Sequence, residues 1–150
     1  MTRETRVQAA VLRGGEILLL EMAIDDGRRF WLLPGGGVEA GDADESAAIA
    51  REVHEETSLS VIVDRMLLDR PAAAADTAYR RYRTFLCIPQ AGSLPVAGAR
   101  DGIAVIDRVL WLRLDDDASW EPSVKADAFL LPQLFDIRAA LDHLNRGRSE

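Results

Sequence analysis

The chain has 150 residues, a length suited to one domain spanning residues 1–150. Hydrophobic residues make up 48% and charged residues 29%, enough apolar material for a buried core, which sets aside the disordered and fibrous classes. The formal net charge of −7 argues against nucleic acid or an anionic membrane as partner, and leaves room for a cation or for a polyphosphate held through one.

That charge is concentrated. Residues 39–56 hold seven acidic side chains and one basic one, net −6, so the remainder of the chain is nearly balanced at −1. The single cysteine, Cys87, sits in the apolar run Phe85-Leu86-Cys87-Ile88; it rules out an internal disulfide and reads as a buried, inert thiol. No apolar run approaches the roughly 20 residues of a membrane helix. The N-terminal Met1-Thr2-Arg3-Glu4-Thr5-Arg6 lacks a signal-peptide core, so a soluble cytoplasmic protein is expected.

In chain order, Val7–Leu12 and Ile17–Met22 are apolar runs separated by Gly14-Gly15, a hairpin pattern. Phe30–Leu33 is a short strand stopped by Pro34 and three glycines, which read as a loop. Asp44–Thr57 consists of good helix formers, and Asp42 with Glu45 three residues later resembles a capping box. Val61–Leu68 looks extended. Pro71–Ala78 is a loop or a short helical turn. Tyr79–Ile88 reads as a strand ended by Pro89, Gln90–Gly102 as a loop, and Val109–Leu114 as a further strand. Asp115-Asp116-Asp117 leads into a turn. From Pro132 to Asn145, Leu134, Ile137, Leu141 and Leu144 recur at helical spacing, with Pro132 suited to the first helical position. Strands interleaved with two helices predict a mixed α/β domain.

The chemistry concentrates in residues 34–59. At 3.6 residues per turn, with Glu52 at 0°, Glu56 falls at about +40° and Glu55 at about −60°. Three carboxylates therefore share one helical face, while Ile49, Val53 and Thr57 lie beside them and can pack on a sheet. Like charges at these spacings repel, and a cation reverses that sign. Magnesium prefers oxygen ligands and bridges carboxylates to substrate phosphates, so this face suits it. Arg51, four residues before Glu55, has the planar fork needed to hold a carboxylate in place. Gly35-Gly36-Gly37 permits close approach of backbone to a ligand. His54 falls at about 200° on the same wheel and faces solvent.

Here the segment resembles the Nudix box, G-x5-E-x7-R-E-U-x-E-E-x-G-U with U bulky and aliphatic. Arg51-Glu52-Val53-His54-Glu55-Glu56-Thr57 matches its core at every defined position, and Trp31-Leu32-Leu33-Pro34-Gly35-Gly36 resembles its lead-in. The box covers about a sixth of the chain. Three positions depart from it: Asp42 stands for the first Glu, eight residues rather than seven separate Asp42 from Arg51, and Ser58 stands for Gly, where a left-handed helix end is costlier.

The resemblance implies an α/β (α+β) fold, a Nudix-like α/β/α sandwich with a mixed central sheet. It implies a hydrolase cleaving a phosphoanhydride bond in a nucleoside diphosphate linked to another group, with Mg2+ as cofactor and Mn2+ as substitute. Carried over, Glu52, Glu55, Glu56 and the Gly35 carbonyl would be metal ligands, and Arg51 would orient the glutamates. The general base would be a box glutamate or a downstream carboxylate, for which Asp101 and Asp107 are available. Substrates would be small nucleotides: ADP-ribose-like nucleotide sugars, or nucleoside triphosphates including damaged ones. Residues 20–30 lack the additional motif of the family's coenzyme A branch. A monomer or homodimer without nucleic-acid or membrane partners is expected, and the few residues after the last helix leave no room for a DNA-binding extension.

Tyr79, Arg81 and Arg83 alternate onto one side of their strand, either to grip a phosphate or stack on a base, or to protect a sheet edge by charge, the latter being preferred. Trp31 or its neighbour Phe30 can stack on a base, while the other fills core. The competing class is a Nudix-fold sensor that binds nucleotides without turnover, against which the intact triplet argues.

Overall fold

The computed structural model describes residues 3–73, 76 and 78–149. Strand β1 (Arg3–Arg13) turns through Gly14 and Gly15 into β2 (Glu16–Ile24), with Arg13 opposite Glu16. Both glycines have positive φ, 54° and 84°, as a two-residue hairpin turn requires. β3 (Arg29–Leu32) folds back on β2.

The three glycines form a short strand rather than a loop. β4 (Gly35–Gly37) pairs antiparallel with β1, Gly35 opposite Gln8 and Gly37 opposite Arg6. A side chain at Gly35 would put its Cβ 2.3 Å from the Val7 carbonyl oxygen, so only glycine lets these backbones approach so closely.

Helix α1 (Glu45–Thr57) is capped by Asp44, whose side chain accepts the Ala47 N–H at 2.8 Å. The cap is therefore not Asp42, whose carboxylate is committed elsewhere. At the other end Ser58 takes the left-handed conformation, φ 65°, and donates its N–H to His54 O.

β5 (Val61–Pro71), β6 (Tyr79–Pro89), the two-residue β7 (Arg100–Asp101) and β8 (Ala104–Arg113) complete one sheet of order β5-β6-β1-β2-β8-β7. β6 runs parallel to β1 and antiparallel to β5, so it is an interior strand, correcting the edge expected from its charges. Those arginines are accommodated by ion pairs: Arg81 with Asp69, and Arg83 with Glu45 at 2.8 Å and Asp69 at 3.4 Å. Parallel pairing of strands so distant in sequence leaves no local signature, and the charges alone mislead. Of the expected loop or turn at Pro71–Ala78, Ala74, Ala75 and Thr77 lie outside the described residues; Ala72 donates its N–H to Arg80 O.

A 3-10 turn (Asp117–Ser119) follows β8, then short α2 (Pro122–Lys125) and α3 (Leu130–Ser149). α3 starts two residues before Pro132, because Asp127 Oδ1 receives the N–H groups of Phe129 and Leu130. Pro132 is still tolerated there, since the first four N–H groups of a helix have no partner within it.

Two cores lie on opposite faces of the sheet. Val7, Ala9 and Val11 of β1 pack with Leu18, Phe85 and Cys87 against Ala48, Ile49 and Val53 of α1. The alternate Ala10 packs with Ile17, Leu19, Trp31 and Leu112 against Leu130, Leu134 and Ile137 of α3. Each fully buried Ile, Leu or Val contributes on the order of 1.5–3 kcal/mol. The result is the expected sandwich of helices on a mixed sheet, and burying Ile49 and Val53 fixes the rotation of α1 that turns its carboxylate edge toward β4.

Candidate active site

The site is built where α1 meets β4. Glu56, 6% exposed, accepts the Gly35 N–H at 2.8 Å. Burial drives its pKa up to about 8, opposed by the charge of Arg6 and the Gly35 hydrogen bond and reinforced by Glu52 and Asp101. Glu52 lies against Gly36: a Cβ there would stand 2.5 Å from Glu52 Oε1. Burial raises the Glu52 pKa as well, against the pull of Arg51. Glu55 is the exposed member of the triplet.

Arg51 ties the elements together. Its Nε and Nη2 donate to the two oxygens of Asp42 at 2.9 Å each, its Nη1 to Glu52 at 3.1 Å and Glu55 at 3.2 Å, and its Nη2 also to the Gly37 carbonyl at 3.2 Å. One guanidinium thus fixes the glycine strand, two of the three glutamates and the preceding turn. Asp42 is held low in return, near pKa 2, first by Arg51 and then by the Glu39 N–H.

The remaining expected residues separate. Asp101, on β7, lies near enough for its charge to act on Glu56. Asp107 is paired with Arg29 at 2.6 Å. Arg81 and Arg83 are occupied by the acidic partners named above. Trp31 is 2% exposed; its indole N–H donates to Ser123 Oγ at 3.2 Å and the Arg108 guanidinium lies over its ring at 4.9 Å, so it serves the core and not a base-stacking surface. Phe30 is half-buried against Leu20 and Met22. His54 is exposed, as its place on the wheel implies.

Sequence reasoning missed Arg6. This buried arginine donates from Nη2 to Leu33 O at 2.8 Å, its Nε has no partner among the described residues, and its charge acts on Glu56, Asp76 and Tyr82. The available signal was alternation: Arg6 and Gln8 are polar on one face of a strand whose other face is Val7, Ala9 and Val11. On that polar face a cavity of about 350 Å³ opens between β6, β1 and the start of α3.

A hard divalent cation fits these donors. All are oxygens, and the buried Glu56 and half-buried Glu52 gain from positive charge. Among the described residues no three acidic, histidine or cysteine side chains converge into a ready-made cage.

A sandwich with a mixed sheet, whose glutamate-rich helix is wired through one arginine to a glycine strand, is the architecture of phosphoanhydride hydrolases of the Nudix type. The family model described as the NUDIX domain matches residues 2–126, and the chain belongs to the Nudix hydrolase family. No curated protein matches it in sequence. Among solved structures it is similar to a UDP-X diphosphatase, at TM-score 0.66 and 20% identity over 95% of this chain; it spans 64% of that protein. It is also similar to an ADP-ribose pyrophosphatase from Streptococcus suis 89-1591, at TM-score 0.58 and 22% identity, covering 93% of this chain and 92% of the other. A third is a MutT NUDIX hydrolase from Burkholderia pseudomallei, at TM-score 0.57 and 25% identity, covering 87% and 96%.

Proposed function

We propose that the chain is a magnesium-dependent hydrolase that cleaves the phosphoanhydride bond of a nucleoside diphosphate linked to a further group. The observation that carries this reading is the pinning of the carboxylate edge of α1 to the glycine strand, by the Gly35 N–H on Glu56 and by Arg51 on Glu52, Glu55 and Gly37. Glu52, Glu55, Glu56 and the Gly35 carbonyl would hold the ion, with Mn2+ as a substitute. When bound, the cation neutralises diphosphate charge, activates water and stabilises the leaving phosphate.

The residues supply the geometry. Arg51 holds the glutamates against their mutual repulsion, and Asp42 holds Arg51. Asp101 accepts the proton of the attacking water, in preference to Asp107, which is engaged by Arg29. Nucleotide sugars such as ADP-ribose, and nucleoside triphosphates including damaged ones, are the substrate classes; the names UDP-X diphosphatase and ADP-ribose pyrophosphatase among the similar proteins speak for the first. The protein acts on small molecules in the cytoplasm, as monomer or homodimer, without nucleic acid or membrane. Among the described residues no helix is long and apolar enough to cross a membrane.

A screen of nucleoside triphosphates, nucleotide sugars and dinucleoside polyphosphates, with and without magnesium, tests the reading. Glu56→Gln is expected to abolish magnesium-dependent phosphate or pyrophosphate release while the protein stays folded. Full retained activity in that variant would sink the assignment, and metal-independent nucleotide binding without turnover would replace it with a sensor.

A further inference from the structure

Arg6 is the one buried arginine among the described residues, 8% exposed, and no carboxylate neutralises it there. The half-buried arginines do have such partners: Arg51 has Asp42, Arg83 has Glu45, and Arg108 has Glu21 and Glu121. Arg6 donates from Nη2 to the Leu33 carbonyl at 2.8 Å, and its enclosed Nε has no partner among the described residues. An arginine cannot shed its proton to relieve burial. An enclosed guanidinium with an idle donor is therefore a cost that folding alone does not explain.

The place of Arg6 in the fold says which anion suits it. It stands opposite Gly37 in the pairing of β1 with β4, so the glycine strand contributes no side chain there. Leu33, whose carbonyl it holds, comes just before Pro34 and Gly35, and the Gly35 N–H holds Glu56. The positive charge of Arg6 reaches Glu56 on one side and Asp76 and Tyr82 on the other. Neither carboxylate is available to it. Glu56 is engaged by the Gly35 N–H, and Asp76 accepts the Tyr82 hydroxyl and the N–H groups of Ala78 and Tyr79. What remains is an anion arriving beside the carboxylate edge of α1, and a diphosphate is such an anion. A planar guanidinium meets two phosphate oxygens at once, where an ammonium offers a point charge.

We infer that Arg6 is a substrate-binding residue that takes non-bridging oxygens of the substrate's diphosphate, on the side of the phosphates away from the glutamates. The inference rests on the proposed function for its substrate class. The bond to the Leu33 carbonyl keeps the guanidinium in place before substrate arrives, so little reorganisation is needed on binding. Arg6 recognises phosphate and neither base nor sugar. Its loss therefore weakens all diphosphate-containing substrates by a similar factor.

The probe is methylenediphosphonate, a diphosphate whose bridge cannot be hydrolysed. Calorimetry measures its affinity for the wild type, Arg6→Gln and Arg6→Lys with magnesium present, and the Mn2+ affinity of each without the probe. Arg6→Gln removes the charge and keeps an N–H donor for the Leu33 carbonyl. It is expected to bind the probe roughly 10- to 100-fold more weakly, with Mn2+ affinity unchanged, and Arg6→Lys to recover most of that loss. The kcat/KM of Arg6→Gln is expected to fall by a similar factor for triphosphates and nucleotide sugars alike. In the wild type, the Arg6 Nε–H resonance, assigned by its absence from Arg6→Lys, is expected to shift when the probe is added. That readout decides the matter even where Arg6→Gln does not fold. Unchanged probe affinity in folded Arg6→Gln, a loss confined to Mn2+ affinity, or an Nε–H resonance that does not move would overturn the inference. Arg6-dependent probe binding without turnover of any nucleotide would uphold the anion site and remove the enzyme reading; turnover with probe affinity independent of Arg6 would do the opposite.

Discussion

Asp42 and Arg51 form a two-pronged ion pair, both carboxylate oxygens lying 2.9 Å from guanidinium nitrogens, across a segment one residue longer than the family pattern allows. The extra residue is absorbed in the turn before α1, where Asp44 takes over the cap and leaves Asp42 free for Arg51. Asp42→Asn keeps the shape and removes the charge. It is expected to lower kcat/KM roughly 10- to 100-fold, as loss of a residue that orients metal ligands does.

The same pair sets a pH dependence. Arg51 holds the Asp42 pKa near 2, below the ordinary value of 3.8. Its contribution to stability is therefore full above about pH 4 and is lost as pH falls from 3.8 toward 2. Urea unfolding of the wild type and of Asp42→Asn is expected to show a gap at pH 7 that closes progressively below pH 4.

Glu56 costs the metal-free protein stability, because its carboxyl is buried and its pKa is raised from 4.5 to about 8. That cost appears as pH rises from 4.5 and is complete above about 8. At pH 8.5 without metal, Glu56→Gln is expected to melt higher than the wild type, by about 1–3 kcal/mol in stability. Magnesium is expected to raise the melting temperature of the wild type and to leave that of the variant nearly unchanged.

The two adjacent glycines are expected to respond differently to alanine. At Gly35 the new Cβ meets backbone, the Val7 carbonyl at 2.3 Å, so β1 and β4 must separate and stability falls by about 2–4 kcal/mol. At Gly36 it meets the end of the Glu52 side chain at 2.5 Å, which can move. Gly36→Ala is therefore expected to melt near the wild-type temperature and lose most of its turnover. Melting and steady-state rates, measured on both variants, check this.

Ser58 holds a left-handed conformation, φ 65°, that suits glycine. Ser58→Gly is expected to stabilise by about 1 kcal/mol, read as a rise of a few degrees in melting temperature with activity unchanged.

The carboxylate helix was legible because everything that defines it is local. Glu52, Glu55, Glu56, Ile49 and Val53 lie within two turns, and 3.6-residue periodicity alone sorts charged edge from buried face. Arg51 was legible as an orienting residue for the same reason. The strand β6 was not: its arginines suggested an edge, while its neighbours β1 and β5 are settled by pairings that span most of the chain. Trp31 looked equally able to stack on a base or fill core, and Ser123, Asp127 and Arg108, far along the chain, decided for the core.

By itself, then, the sequence determined the family, the carboxylate face and the arginine that serves it, since these follow from spacing along one helix. The tertiary structure alone decided that the glycines form a strand, that the Gly35 N–H meets a buried Glu56, that Asp42 is the partner of Arg51, and that Arg6 is buried within electrostatic reach of Glu56. The physical reason is one of range: helical periodicity acts over a few residues, whereas burial, pKa and hydrogen-bond partners depend on which distant strands the sheet brings together.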